Sequence, residues 1–126
     1  MKKLLKLSAL LIMTAFITAG CRSSAIYNVE NSKIDNRKSS AVVYRAIKEA
    51  GQSLGWKITK IRPGVAEGKL YLRTHLAVVR INYSGSAYSI HYVRSENLDY
   101  DAEDQTIHSN YNGWVQNLEK AIDARL

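Results

Sequence analysis

The sequence predicts an α+β domain, a four-stranded antiparallel sheet with an N-terminal and a C-terminal helix packed on one face. Apolar residues recur at helical spacing near residues 39–54 and 111–126, while residues 56–94 alternate apolar and polar side chains in short runs. Turn-forming residues separate most of those runs. Sequential strands framed by two amphipathic helices bury their apolar sides best as two layers, helices on sheet. Residues 21–126 are enough for one core and not for two.

The chain opens differently. Lys2, Lys3 and Lys6 form a basic start, an apolar run broken only by Ser8 and Thr14 covers residues 7–17, and Thr18-Ala19-Gly20 precede Cys21. A basic stretch, a short apolar stretch and small residues describe a secretory signal peptide over residues 1–20, too short for a transmembrane helix. The cysteine placed directly after the small residues resembles the lipobox of bacterial lipoproteins, with Thr18 a departure from the more usual Leu. The resemblance implies that Cys21 is lipidated and becomes the first residue of the mature chain, held in the membrane by acyl chains such as palmitate. The alternative is a secreted protein cut near Ala19 with a free thiol, but a lone cysteine in an oxidising compartment needs a partner or a modification. Arg22, where inner-membrane lipoproteins commonly carry Asp, implies an outer-membrane lipoprotein with its domain in the periplasm. With Cys21 so used, no intrachain disulfide remains to brace the fold.

Residues 22–38 are rich in Ser, Asn and charge without a sustained period, so residues 21–38 read as a lipidated tether, although Ile26, Tyr27 and Val29 allow a short strand. The first helix has Ser39 or Ser40 as cap. Val43, Ile47, Ala50 and Leu54 line one face, Arg45, Lys48 and Glu49 lie on the others, and Gly55 ends it. Gly51 weakens its last turn. Residues 56–62 set Trp56 and Ile58 against Lys57 and Thr59, and Pro63-Gly64 makes a tight turn. Residues 65–73 set Ala66, Gly68, Leu70 and Leu72 against Glu67, Lys69, Tyr71 and Arg73. The next join, Thr74-His75, has no Gly, Pro or Asn.

Residues 76–83 set Ala77, Val79, Ile81 and Tyr83 against Val78, Arg80 and Asn82; after the turn Ser84-Gly85-Ser86, residues 87–94 set Tyr88, Ile90 and Tyr92 against Ser89, His91 and Val93. Residues 95–109 carry Glu96, Asp99, Asp101, Glu103 and Asp104 and read as a loop. The second helix has Ser109 or Asn110 as cap and Trp114, Leu118, Ala121 and Ile122 as core stripe. The helix side of the sheet is then Trp56, Ile58, Leu70, Leu72, Val79, Ile81, Ile90 and Tyr92. The other side carries Lys57, Lys69, Tyr71, Arg73, Arg80 and His91 and stands open to solvent.

Several strings occur together: Gly55-Trp56; Arg73-Thr74-His75 with Ala77-Val78-Val79; Tyr88-Ser89-Ile90 and Tyr92; Ser95-Glu96-Asn97-Leu98; Ile107-His108; and Tyr111-Asn112-Gly113-Trp114-Val115-Gln116-Asn117-Leu118. Their order and spacing over most of residues 40–122 resemble a group of small uncharacterised proteobacterial lipoproteins. The resemblance implies the compartment and one compact domain; it brings no reaction, ligand or catalytic residue.

Site chemistry is sparse. His75, His91 and His108 match no close-set metal motif, so neither a metal nor another cofactor is expected. Gly-x-Ser-x-Gly is absent, Tyr83-Ser84-Gly85-Ser86 has hairpin composition, and no glycine-rich phosphate loop occurs. The acidic run lacks the order of a helical calcium loop. No catalytic residue is assigned, and the chain reads as a non-enzyme.

Charge is the stronger signal, with a formal net charge of +7 overall. Residues 22–94 hold thirteen Lys or Arg against four acids, and residues 95–126 hold two against seven. The basic part suits an acidic envelope protein, or anionic lipid, lipopolysaccharide or glycan, the last group in a pocket between sheet and helices. Export removes nucleic acid from consideration. The competing expectation is that the acidic stretch folds back and neutralises the basic face. Tyr71, between Lys69 and Arg73, completes the candidate partner surface of Lys57, Lys69, Tyr71, Arg73, Arg80 and His91, because Tyr and Arg are common interface anchors. Tyrosine is also an ordinary strand residue, and Trp56 and Trp114 are expected to lock helices to sheet. The expected role is that of a lipid-anchored binding or assembly accessory in the envelope.

Overall fold

A computed structural model describes residues 22–126; the signal peptide expected over residues 1–20 and the lipidation expected at Cys21 lie outside the described residues. The elements follow as β1 (Ser23–Ala25), β2 (Val29–Lys33), α1 (Ser40–Ser53), β3 (Lys57–Arg62), β4 (Val65–Leu72), β5 (His75–Tyr83), β6 (Ala87–Glu96), β7 (Thr106–His108) and α2 (Ser109–Asp123). The class is α+β. The main sheet is antiparallel and has five strands rather than four, in the order β2-β6-β5-β4-β3, and β1 pairs with β7 as a separate ribbon.

The additional strands come from segments without a sequence period. β2 adds to the free edge of β6, with Val29 opposite Ile90 and only 3% exposed. One buried valine on the helix side seats the strand. A bulge at Asn31, whose φ is 45°, shifts its far half by one residue. β1 is held from outside the ribbon as well: Asn112 of α2 donates from Nδ2 to the Ala25 carbonyl (2.8 Å) and accepts at Oδ1 from the Tyr27 N–H (2.9 Å). Most of the expected tether is thus folded into the domain. The expected acidic loop likewise contains the end of β6, the buried Leu98 and β7. Within it, Asp101 Oδ1 accepts from the N–H groups of Glu103 and Asp104, closing a turn.

α1 starts where Ser39 Oγ accepts from the Val42 N–H at 3.2 Å, and Gly55 at φ 89° follows its end. Gly51 has a packing reason: a Cβ there would lie 2.5 Å from Ile58 Cγ1, so only glycine lets the last turn rest on β3. The cap of α2 is His108, whose Nδ1 accepts from the Asn110 N–H at 3.1 Å, in place of Ser109 or Asn110. Its buried stripe is Tyr111, Val115, Leu118 and Ile122; Trp114 and Ala121 flank it, half-buried.

Both helices cover the same side of the sheet, where Val79, Ile81 and Ile90 meet Val43, Ile47, Leu118 and Ile122, all fully buried. Trp56, Ile58 and Leu70 are buried there too, and Tyr92 packs against them half-buried. Leu72 departs from expectation at 44% exposed. β3 begins opposite Lys69, so the last residues of β4 run past the end of α1 and find no helix above them.

Two tyrosines tie α2 in place: Tyr88 donates to Asp123 Oδ1 at 2.7 Å, and Tyr27 to Glu119. Burial, then the bond to Asp123, pushes the Tyr88 phenol above its ordinary range; the bond to Glu119 and then burial do the same for Tyr27. Tyr111 is fully buried and its hydroxyl has no hydrogen-bond partner among the described residues.

Candidate functional site

Strand register decides which charged side chains share a face, because alternate residues point to opposite sides. Opposite the helices, Lys57, Lys69, Val78 and Arg94 lie in one row across β3, β4, β5 and β6. The next row is Thr59, Glu67, Arg80 and His91, and on the other side of the first lie Tyr71, Leu76 and Glu96. Of the six expected surface residues, Lys57, Lys69, Tyr71, Arg80 and His91 fall on this face. Arg73 does not. With Thr74 it forms the two-residue turn between β4 and β5, at φ 55°, so it projects from the end of the sheet.

Arg94 belongs to the face and escaped the sequence pattern, which gives that place to Val93. β6 carries a bulge here: Tyr92 pairs with Val79 and Arg94 with Val78, leaving Val93 as the extra residue. Nothing in the composition of residues 87–96 marks it.

The face is not uniformly polar. Val78 is fully buried and Leu76 is 3% exposed although no helix covers them. Their register neighbours on that face are the long side chains of Lys69, Tyr71 and Arg94, and lysine and arginine can lay apolar stems along such a surface while their charged tips stay in water.

The ion pairs are local. Lys69 Nζ is 3.7 Å from Glu67, Arg94 is 3.6 Å from Glu96, and His91 Nε2 contacts Glu30 of β2. Among the described residues no carboxylate lies within 4.0 Å of Lys57 or Arg80. Lys57 stands directly opposite Lys69, a like-charge pair that costs a few tenths of a kcal/mol, to about 1, unless an anion sits between. Asp99, Asp101, Glu103 and Asp104 make no ion pair with any described basic group. Their segment instead turns toward β1 through β7, and Tyr100 stacks on Tyr92 at 4.4 Å, so it does not neutralise the basic face.

The histidines are dispersed. His75 Nδ1 meets the Asn97 carbonyl at 2.7 Å, His108 caps α2 and His91 meets Glu30. No three metal-ligating side chains converge among the described residues. The space expected to be a pocket between sheet and helices is filled by the core. Grooves lie at the surface instead: one of about 320 Å³ is lined in part by Lys33, Asp35 and Asp123, and a more open one of about 640 Å³ in part by Arg37 and Lys38. Two acids beside one lysine do not favour an anion in the first. No family model, curated protein or solved structure matches this chain.

Proposed function

We propose that the chain is a lipid-anchored envelope lipoprotein, with Cys21 as its lipidated residue, acting without catalysis as a binding or assembly accessory for an acidic periplasmic protein. The observation that carries the partner reading is the row Lys57, Lys69, Val78 and Arg94 beside Arg80. It offers two cations without ion pairs around a buried aliphatic centre, next to a tyrosine that is 69% exposed. An acidic surface would relieve the Lys57–Lys69 repulsion and use Tyr71 as an anchor. Cross-linking of the full-length protein in cells, followed by mass spectrometry, tests it. One recurrent protein, lost when Lys57→Glu and Arg80→Glu are combined, is the expected result. A recurrent protein that survives the double reversal removes this face. No recurrent protein transfers the reading to anionic lipid, lipopolysaccharide or glycan. The anchor is tested separately: Cys21→Ser should move the protein out of the membrane fraction.

A further inference from the structure

The domain leaves almost no slack behind its proposed anchor. The Ser109 N–H donates to the Arg22 carbonyl at 2.7 Å, and the next residue, Ser23, is already paired with His108. Cys21 is therefore one residue from a fixed point, and one extended residue reaches about 3.6 Å at most. An eighteen-residue flexible tether, residues 21–38, would have roamed about 20–25 Å. An acyl chain on Cys21 must hold this end of the domain against the headgroups.

The same end carries exposed apolar side chains. His108 donates its N–H to the Leu98 carbonyl at 2.8 Å, and the neighbouring Asn97 donates from Nδ2 to Thr74 Oγ1 at 2.7 Å. The Arg73-Thr74 turn is thus linked to the ribbon that holds Arg22. Leu72, 44% exposed, and Tyr71, 69% exposed, precede that turn. Leu54, 40% exposed, ends α1 beside them: a Cβ on the adjacent Gly55 would meet Leu70 Cδ1 at 3.6 Å. Of the acids near this end, Glu96 lies 3.6 Å from Arg94, and Asp99, next to Leu98, makes no ion pair among the described residues, so the contact rests on the leucines more than on charge.

We propose that Leu54, Leu72 and Arg73, beside Arg22, form a rim that rests on the bilayer carrying the lipid of Cys21. The leucines enter the headgroup boundary, and the arginines meet anionic headgroups. The sheet then stands on its end, and its open face looks sideways along the membrane surface. Arg73 becomes a lipid contact in place of a protein contact. This rests on the lipidation of Cys21.

The test uses full-length protein extracted from membranes and reconstituted into phosphatidylcholine–phosphatidylglycerol vesicles. The sequence has one cysteine, so once it is acylated Leu72→Cys, or Ser86→Cys at the opposite end, supplies the free thiol for a polarity-sensitive fluorophore. Iodide quenching at 72 should be several-fold weaker than at 86, and adding Leu54→Asp and Arg73→Glu should abolish that difference while the vesicles still float the protein. Floating protein with equal quenching at both ends overturns the rim and leaves the lipid reading intact. Protein that fails to float overturns the lipid reading and the rim with it.

Discussion

The two faces of one sheet bury their aliphatic residues by different means. On the helix side Val79, Ile81 and Ile90 are sealed by Ile47, Leu118 and Ile122 from elements far away in the chain. On the open side Val78 is equally buried, but its register neighbours are the long, flexible side chains of Lys69 and Arg94 in place of a helix. Rigid helix cover cannot close over a void, whereas flexible stems can. Stability should therefore reside on one face and recognition on the other.

The sharpest break of that contrast pairs Val79→Ala with Val78→Ala, which remove the same atoms. The first leaves a cavity under fixed helices and should cost about 2.5 kcal/mol; the second lets its flexible surroundings subside and should cost about 1 kcal/mol. Equal costs in urea unfolding would mean that the open face is packed as firmly as the covered one.

Alkaline unfolding comes next, since the covered side also holds phenols. Burial raises both Tyr88 and Tyr111 above their unfolded value of 10.0, so between that pH and the folded values the unfolded chain has lost protons that the native chain keeps. Stability contributed by each phenol is present below pH 10 and falls as pH rises, by at most about 1.4 kcal/mol per pH unit per group. A melt series from pH 9 to 11 should show the slope, and Tyr111→Phe should remove part of it.

At neutral pH the same two tyrosines should diverge. Tyr88→Phe loses the bond to Asp123 and should cost about 1.5 kcal/mol, whereas Tyr111→Phe removes a hydroxyl without a partner and should be neutral or stabilising by up to about 1 kcal/mol. A loss at Tyr111 in chemical denaturation would reveal a partner for its hydroxyl. The smallest effect belongs to the open face: Lys57→Glu with Arg80→Glu should change stability by less than about 0.5 kcal/mol. A larger drop would show that these charges hold the fold itself.

The meander and first helix were legible because their signals are local: alternation, Pro63-Gly64, and a serine cap three residues before Val42. What escaped depends on distant partners. β1 and β7 have three residues each and are held by mutual pairing, by Asn112 and by the bonds of β7 to Leu98 and Asp101. The Arg73-Thr74 turn lacks turn-forming residues and is braced by Asn97 from 23 positions away. The open face was readable for Lys57, Lys69, Tyr71, Arg80 and His91, since their strands keep period two. Arg94 was lost to a bulge, and Arg73 to a strand that ends one residue sooner than its alternation.

The bond between the start of the chain and α2 also has a consequence in time. Tyr27 and Asn112 are 85 positions apart, while β3 to β6 are joined by short turns. Closing the long loop carries the larger entropy cost, so the hairpins have the kinetic advantage and β1 docks late. A chain that emerges amino end first must keep its first strand waiting for the last elements to appear. Through that interval the backbone of Ser23–Ala25 has no partner; once β7 and α2 are in place, the pairing with β7 and the bonds to Asn112 close it to other chains.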